Sequence, residues 1–458
     1  MKQKLTSKET IVISSMLFGM FFGAGNLIFP ATLGPTAGSN LVPAYLGLFL
    51  TAVGLPLLAV AALGKSRCNG VVELSGKVGR KYGVFFSTLL YLTIGPLFAA
   101  PRCGSTSFAV GAVKLIGSSN QTVAQAVFTF LFFAAVLFFA LRPGKIMTWI
   151  GKILNPVFLV FLGVLVVAAL FNPVDSVAAL TPAEAYATGS GAFFKGFLEG
   201  YNTLDALAGL AFGMIVIEVI RQQGVTDPDA VASSTAKAGI FSCLFMGIIY
   251  LAITVVAAQS SSVCAGCDNG GAVLGTIADY YFGSVGSVLM TAIVTFACLK
   301  TAIGLITACS SAFESMFPKG PSYRGWVIIF CVICFGVANF GLNSIVAYCV
   351  PVLMFIYPLA CTLILLALFE KRFGGAREVY VWTTALTLIS AFCDFCGTLS
   401  GTLQGSGVTV TGFLDAIAGA AGKILPFNSI GLGWICPAIL GFIIGLVLSK
   451  TGRTEKAA

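Results

Sequence analysis

The chain has 458 residues, of which 58% are hydrophobic and 9% are charged, and its mean hydropathy is +0.98. Soluble domains carry about 25% charged residues, so this composition excludes a soluble protein and indicates an integral membrane protein. The absence of histidine excludes a histidine proton relay and a histidine-ligated metal site. The net charge of +9 suits basic loops that face anionic lipid, and it does not indicate nucleic-acid binding.

Twelve apolar runs, each long enough to cross a bilayer as a helix, follow one another along the chain. Most lysines and arginines fall in the segments on the same side as the N-terminus when every run is a span. By the positive-inside rule, this bias predicts a multi-pass protein of the cell (plasma or inner) membrane with both termini cytoplasmic. The runs lie at about residues 11–33, 42–63, 82–115, 123–141, 147–171, 196–220, 238–258, 283–310, 325–343, 345–369, 379–400 and 430–449.

The first run is interrupted near its middle by Gly23-Ala24-Gly25-Asn26, and Pro30 follows within two turns. Glycine loses more entropy in a helix than other residues, and proline cannot donate a backbone hydrogen bond. The pattern predicts an unwound helix around residues 22–26, which a membrane tolerates only where the backbone faces protein or water. The freed amides suit an anion and the freed carbonyls suit a cation, and an amino acid carries both charges. A kinked helix packed through small residues is the alternative.

A second interruption lies in the sixth run, at Gly200-Tyr201-Asn202-Thr203-Leu204-Asp205. The first and sixth runs are the first members of two groups of five runs. The first group would enter the membrane from the cytoplasmic side and the second from the outside. Broken helices in corresponding positions of two inverted halves point to a transporter's binding site. We therefore predict a single transmembrane domain with repeat one at about 9–171, repeat two at about 196–369 and two extra helices at about 379–449. Coincidence is the alternative, because glycine is common in membrane helices.

Four segments carry a resemblance to a known family: Phe22–Pro30, Gly95–Arg102, Gly200–Asp205 and, in the eighth run, Ala297–Leu305 apart from Lys300. Through them the sequence resembles the bacterial branched-chain amino acid cation symporters, within the amino acid–polyamine–organocation group. The resemblance covers nearly the whole chain. It implies an all-α integral membrane protein with twelve transmembrane helices, arranged as a five-plus-five inverted repeat (a leucine-transporter-like fold) with two extra C-terminal helices. It also implies cation-coupled uptake of leucine, isoleucine and valine, usually driven by sodium.

The resemblance further implies roles for residues at the two breaks. The substrate carboxylate is expected at the amides of Ala24 and Gly25, and the ammonium at carbonyls near Phe21 and Thr203. The aliphatic side chain needs a dry pocket, and the candidates for its wall are Phe98, Tyr201, Ala208 and Ile303. Packing alone would explain each of these aromatic and aliphatic residues equally well.

For the coupling ion, the resemblance implies a sodium site at Asn26 and Thr203, whose oxygen atoms suit a hard cation. A hydrogen bond that repairs the broken backbone is the alternative role for both. A second sodium site would use carbonyls of Gly19 and Phe22 and two adjacent hydroxyls of the eighth run. The sequence has Lys300-Thr301 there, so an ammonium replaces one hydroxyl. We interpret that lysine as a fixed surrogate for sodium or as a proton carrier, and a snorkelling lysine is the alternative.

Ionisable residues inside a membrane are functional candidates and usually pair. Arg102 and Asp205 are the deep charges of the motif-bearing runs, and we predict that they form a gate or a structural brace. Asp394 lies in the eleventh run. Cys264 and Cys267 lie in a polar loop and could form a disulfide or remain two thiols. No second cysteine pair follows at zinc-finger spacing, so a metal site is not expected there.

The predicted function is secondary active import of branched-chain amino acids, with a sodium ion or a proton as the coupling ion and no other cofactor. A proton-linked or exchange permease for other neutral amino acids is the alternative. A channel would show polar pore-lining stripes or filter loops, which the sequence lacks. An enzyme is not expected, because neither histidine nor a paired-carboxylate motif is present. The expected partners are the amino acid and membrane lipid, and not nucleic acid.

Overall fold

The computed structural model describes residues 4–66, 68, 70–113, 120–408 and 412–457. Within these ranges the chain forms helices and turns and no strand. Eight of the described helices are long and apolar enough to cross a membrane, or nine when one bent pair is counted as a span. The prediction of an all-α integral membrane protein is therefore confirmed.

The helices follow one another through short connections, and several are joined by wider π-helical turns, at Leu50–Gly54, Thr93–Leu97, Ser107–Ala112 and Met147–Leu154. In chain order the α-helices are α1 (Ser7–Phe21), α2 (Ala24–Ala37), α3 (Leu41–Phe49), α4 (Leu55–Ser66), α5 (Val71–Gly76), α6 (Arg80–Leu92), α7 (Ala99–Thr106), α8 (Gln121–Ala140), α9 (Asn155–Phe171), α10 (Gly189–Tyr201), α11 (Asp205–Gln222), α12 (Pro228–Gln259), α13 (Gly270–Phe282), α14 (Ser284–Met316), α15 (Tyr323–Ala338), α16 (Leu342–Phe373), α17 (Arg377–Gly405), α18 (Gly412–Ile424) and α19 (Ile435–Ala457).

The first apolar run forms α1 and α2, with a break between them. A capping box starts α1: the Glu9 amide donates to Thr6 Oγ1 at 3.3 Å, and the Thr6 amide donates to the Glu9 carboxylate at 2.8 Å. The helix ends at Phe21 because Phe22 (φ −74°, ψ 89°) and Gly23 (φ −121°, ψ −153°) leave the helical region. Helix α2 begins at Ala24, so the interruption expected around residues 22–26 is present at 22–23.

Residues 24–66 are helical over almost their whole length, but they do not form one helix. A continuous helix of 43 residues would measure about 65 Å, roughly twice the thickness of the hydrocarbon core of a bilayer. The backbone leaves the helical region at Gly38, whose φ is +52°. A residue without a side chain fits this conformation, and it separates α2 from α3 and α4.

The third run also bends, and the bend orients the start of α7. Gly95 has non-helical angles (φ −88°, ψ −113°) inside the π-helical turn that contains Pro96. Regular helix resumes at Ala99, so Arg102 lies in the first turn of α7. The last two residues of the predicted run, 114 and 115, lie outside the described residues.

The second break separates α10 from α11, whose axes differ by 43°. Asn202, Thr203 and Leu204 connect the two helices, and Leu204 has a left-handed backbone with φ +68°. This region is unfavourable for a residue with a side chain, so packing around Leu204 must hold the turn. The structure therefore interrupts both of the runs in which the sequence predicts a break.

The core of the molecule is formed by helices that are buried on all sides. Residues 297–310 of α14 are buried without exception, and so are residues 205–213 of α11. Peripheral helices instead expose apolar side chains, such as Val160 and Phe171 in α9 and Val332 in α15. An apolar exposed surface of this kind suits contact with lipid.

Helices α3 and α10 approach each other through reciprocal glycines. A Cβ atom added to Gly47 would meet the carbonyl oxygen of Phe193, and one added to Gly196 would meet the carbonyl oxygen of Ala44. The Thr51 hydroxyl strengthens this contact by donating to the carbonyl of Phe197 at 2.8 Å. Small residues of this kind allow the close backbone approach that stabilises helix pairs in membranes.

We expect Gly196→Val to destabilise the protein by about 1–3 kcal/mol or more, because the added atoms meet backbone that cannot rotate away. The thermal unfolding midpoint of the detergent-purified protein measures this effect. Gly163→Val in α9 is the matched control, because a Cβ atom at Gly163 would meet nothing within 4 Å. Equal losses in both variants would contradict the close-packing argument.

Candidate functional site

The two helix breaks lie against the same small cavity in the middle of the molecule. The cavity measures about 20 Å³, which is near the minimum that a single water molecule requires. An amino acid therefore enters it only if the surrounding helices move apart. The lining residues come from α1, α2, the start of α7, the second break with α11, and α14: Met20, Phe21, Gly23, Ala24, Gly25, Asn26, Ile94, Ala99, Arg102, Cys103, Thr203, Leu204, Asp205, Ala208, Thr301 and Leu305.

Side chains satisfy the backbone groups that each break sets free. The Gly23 amide donates to Asn26 Oδ1 at 2.8 Å. The Thr203 hydroxyl donates to the Gly200 carbonyl at 2.9 Å. In this state Asn26 and Thr203 therefore make the backbone-repairing hydrogen bonds that the sequence leaves open as an alternative to sodium binding. Both residues also line the cavity, so both remain within reach of an ion that enters it.

The structure divides the predicted substrate residues into two groups. Ala24, Gly25, Thr203 and Ala208 line the cavity. The other three predicted wall residues lie outside its lining: Phe98 precedes α7, Tyr201 stacks on Tyr357 with ring centroids 4.2 Å apart, and Ile303 is buried within α14.

Helix geometry explains why Leu305, which the sequence analysis did not select, lines the cavity in α14. Residues four apart share a helix face, whereas residues two apart do not. Thr301 and Leu305 are therefore on one face, and Ile303 points elsewhere. The helical period contains this information, so Leu305 could have been found by fixing the face from Thr301.

A buried polar cluster connects the first break with the second. Asn26 Nδ2 donates to Asp205 Oδ2 at 2.6 Å, and the Tyr250 hydroxyl donates to the same oxygen at 2.8 Å. Asn26 Nδ2 also contacts the Tyr250 hydroxyl. All three residues are at most 2% exposed. Tyr250 was missed by the sequence analysis because it is one aromatic residue within a long apolar run.

Arg102 reaches from α7 to the end of α10. Its Nη1 donates to the carbonyl of Asn202 at 2.9 Å, and its guanidinium lies 5.6 Å from the ring centroid of Phe29. Nε is buried and has no hydrogen-bond partner among the described residues. The structure thus brings Arg102 and Asp205, the predicted gate pair, to one cavity, but the hydrogen bond of Arg102 goes to Asn202.

Lys300 is fully buried on a different face of α14 from Thr301. Its ammonium donates to Asn155 Oδ1 at 2.9 Å and lies 3.6 Å from the ring centroid of Phe158 and 5.6 Å from that of Phe18. Asn155 in turn donates to the Ser15 hydroxyl at 2.9 Å. The ammonium is therefore held between α1, α9 and α14.

The other predicted cation-coupling residues lie around this junction. A Cβ atom on Gly19 would be 3.4 Å from Asn155, and Phe22 packs on Phe158 with ring centroids 5.2 Å apart. Thr301 instead faces Gly23, and its hydroxyl is buried with no partner in the part of the chain that the structure describes. Asn155 was missed by the sequence analysis, although it is a polar residue inside an apolar run.

The two cysteines of the polar loop are both free thiols. The Cys264 thiol lies 3.7 Å from the carbonyl of Val273, and the Cys267 thiol lies 3.5 Å from the hydroxyl of Thr276. Each thiol thus has its own partner in α13.

Solved transporter structures define the class of the fold. The chain superposes with a TM-score of 0.60 on Mhp1, a nucleobase-cation-symport-1 family transporter in a closed conformation with bromovinylhydantoin bound, covering 98% of this chain and 93% of that chain at 12% identity. It superposes equally well, with a TM-score of 0.60, on a Na⁺-coupled sialic acid symporter in a substrate-bound outward-open state, covering 96% and 89% at 14% identity. The chain therefore shares the fold of these two symporters.

The sequence identifies the family within that class. The profile of the family described as "Branched-chain amino acid transport protein" matches residues 6–452, and the chain belongs to this family. It is 48% identical to the branched-chain amino acid permease BrnQ of Lactobacillus delbrueckii subsp. lactis, over 97% of each chain. It is 39% identical to BrnQ of Bacillus subtilis over 98% of each chain, and 34% identical to BrnQ of Escherichia coli K12 over 99% of each.

These relationships confirm the predicted family and the prediction of a membrane transporter rather than an enzyme. They also establish a multi-pass protein of the plasma membrane. The roles of the individual site residues stay predictions.

We expect Gly25→Leu to reduce leucine uptake to background while the protein still reaches the membrane. A Cβ atom at Gly25 would lie 2.8 Å from Arg102 Nη2 and 3.2 Å from the Cα atom of Thr203, so a larger side chain fills the space between the two breaks. Uptake into proteoliposomes, normalised to inserted protein, measures the loss. Gly336→Leu in α15 is the control, because a Cβ atom there would meet nothing within 4 Å. Normal uptake by Gly25→Leu would mean that the first break is only a kink.

Proposed function

We propose that the chain imports leucine, isoleucine and valine by cation-coupled secondary active transport, with the cavity between the two breaks as the substrate site. One observation carries the proposal: in a member of this family, residues from the breaks of two interrupted helices line one cavity. The amides that begin α2 favour a carboxylate, and the carbonyls that end α1 and α10 favour an ammonium.

The composition of the cavity wall supports an aliphatic substrate. Apart from Arg102, Thr301 and the polar groups of the breaks, most of the wall is apolar, and Ile94, Ala99, Ala208 and Leu305 are its small and aliphatic members. Two relatives that are 48% and 39% identical to this chain are named branched-chain amino acid permeases. Because the cavity is narrow, we propose that substrate enters by alternating access, in which the helices around the breaks open to one side of the membrane at a time.

We propose the following membrane topology for this mechanism. The chain has twelve spans and both termini in the cytoplasm, and repeats at about 9–171 and 196–369 are related by inversion. The two breaks then take corresponding positions in the repeats, as in other transporters with inverted repeats. The similarity to two solved symporter folds and the placement of basic residues support this topology.

Sodium, as the transported coupling ion, fits the first break better than the junction around Lys300. Asn26 and Thr203 bring oxygen atoms to the cavity, and the carboxylate of Asp205 bonds to Asn26. Oxygen ligands of this kind suit a hard cation. At the junction of α1, α9 and α14 the ammonium of Lys300 already supplies a positive charge. Two unit charges 4 Å apart repel by about 4 kcal/mol at an effective dielectric of 20, so the lysine replaces a second sodium ion.

We expect leucine, isoleucine and valine to compete with one another for uptake, and lysine and glutamate not to compete. Apart from Arg102 and Asp205 at the two breaks, the cavity lining has no charged residue that could pair with a charged substrate side chain. Each buried methylene contributes about 0.8 kcal/mol, so alanine should compete much more weakly than leucine. Competition against radiolabelled leucine in proteoliposomes tests this order. Equal competition by alanine would favour the alternative of a general neutral amino acid permease, and equal competition by glutamate would contradict the proposed site.

We expect leucine uptake to depend on at most one sodium ion, because the Lys300 ammonium occupies the other cation position. Lys300→Thr should then increase the sodium dependence of uptake, since it removes the ammonium and leaves a hydroxyl beside Asn155 at the junction of α1, α9 and α14. Uptake is measured in sodium-free and sodium-containing buffer, with a proton gradient imposed or collapsed. Lys145→Thr, which removes an exposed lysine, is the control. A wild-type Hill coefficient for sodium near two would rule out the surrogate role whether or not the variant folds.

A further inference from the structure

We propose that Arg102 and Asp205 bind the two charges of the amino acid directly, Arg102 its carboxylate and Asp205 its ammonium. This inference rests on the proposed transport function and adds charged side chains to a site otherwise built from backbone groups. Both residues line the cavity, and they are only 5% and 2% exposed. Neither charge is neutralised by an ion pair within the described chain, since the hydrogen bond of Arg102 goes to a carbonyl and those on Asp205 come from an amide and a hydroxyl.

Arg102 is placed to extend the anion site at the start of α2. Its Nη2 lies so near Gly25 that a Cβ atom there would be 2.8 Å away. The guanidinium and the amides of Ala24 and Gly25 therefore border the same space. Nη1 is engaged with the Asn202 carbonyl, but Nε is buried without a partner. A guanidinium carries five donors in a planar fork that matches a carboxylate, so an incoming carboxylate would supply the missing acceptor.

Asp205 is placed to receive the ammonium. It is the first residue of α11, where the helix dipole favours a negative charge. Asn26 and Tyr250 both donate to Oδ2. These two bonds fix the orientation of the carboxylate while its other oxygen keeps its capacity to accept, because an ionised carboxylate offers about four acceptor positions. Met20 and Phe21, at the end of α1, line the same cavity, and their carbonyls would complete the cation site.

The presence of both charges in one cavity lining fits a zwitterion. The Arg102 guanidinium donates to the Asn202 carbonyl, and Asp205 accepts from Asn26 and Tyr250, so within the described residues the cavity lining carries one positive and one negative group that are not joined as an ion pair. A zwitterion satisfies both sides at once. An analogue that lacks one charge leaves one buried ionised group unpaired, which is unfavourable. Each side chain should therefore determine the discrimination against one particular analogue.

Two analogues separate the roles: leucinamide lacks the carboxylate and isocaproate lacks the ammonium. Binding is measured on the purified full-length protein in lipid nanodiscs, by competition against radiolabelled leucine and by ligand-induced thermal stabilisation. The assay is run at about pH 6.5, where the amino group of leucinamide is protonated. For the wild type we expect each analogue to bind roughly 10- to 100-fold more weakly than leucine, the usual loss for one charge-assisted hydrogen bond.

Two affinity ratios are compared: that of leucine to leucinamide and that of leucine to isocaproate. In Arg102→Gln, leucine should bind more weakly while leucinamide affinity changes little, so the leucine-to-leucinamide ratio should fall to a few-fold. The leucine-to-isocaproate ratio should be retained. In Asp205→Asn, the leucine-to-isocaproate affinity ratio should fall, and the leucine-to-leucinamide affinity ratio should be retained. Arg102→Lys and Asp205→Glu keep the charges. Arg102→Lys should therefore preserve part of the leucine-to-leucinamide ratio, and Asp205→Glu part of the leucine-to-isocaproate ratio. They also keep the test decisive if a neutral variant does not fold. Arg142→Gln and Asp394→Asn are the matched controls, because neither residue lines the cavity and both should leave the two ratios unchanged.

The outcomes separate this inference from the proposed function. A wild type that neither binds nor transports leucine would overturn the proposed function. A different outcome would overturn the inference alone: the wild type binds leucine, and the variants lower leucine affinity but keep both affinity ratios. In that case the backbone, and not these side chains, would recognise both charges. Loss of both ratios in a single folded variant would also overturn it, since such an effect reports a general distortion of the cavity.

Discussion

The structure depends on one constraint, that a helix broken inside a membrane must find partners for the backbone groups it sets free. Asn26 accepts from the Gly23 amide, Thr203 donates to the Gly200 carbonyl, and Arg102 donates to the Asn202 carbonyl. The partners of the second break come from the break itself and from α7. The repair of the backbone therefore also gathers polar and charged side chains around one cavity, and the site follows from the same requirement.

The sequence predicted the parts of the fold that are encoded locally. Both breaks follow from glycine and asparagine within apolar runs, because these residues weaken a helix wherever it lies. The partners of the breaks are not local. Tyr250 and Asn155 lie in apolar runs. Their contacts with the first break and with Lys300 depend on which faces of α12 and α9 point inward, and composition does not determine this. Ile303 and Leu305 lie two residues apart on α14, and only the second faces the cavity.

The angular spacing of residues around a helix axis also explains how neighbouring residues of α14 lie in two different environments. Consecutive residues lie about 100° apart on a helix, so Lys300 and Thr301 face different neighbours. Thr301 lies against Gly23 at the first break, whereas Lys300 is held by Asn155 and the ring of Phe158. From the sequence, both residues were predicted to lie at a single ion site. The structure instead gives a hydroxyl to the cavity and an ammonium to the junction of α1, α9 and α14.

The narrow cavity and its opposed charges together constrain how such a site can work. Within about 20 Å³ an amino acid cannot lie between Arg102 and Asp205 without displacing α2, α7 or α11. The Arg102–Asn202 hydrogen bond links α7 to the second break, so movement of either element strains or releases it. A substrate carboxylate is a stronger acceptor for a guanidinium than a carbonyl is. Exchange of one acceptor for the other would compensate for separating the helices, so recognition of the substrate and opening of the cavity would be coupled through the same side chain.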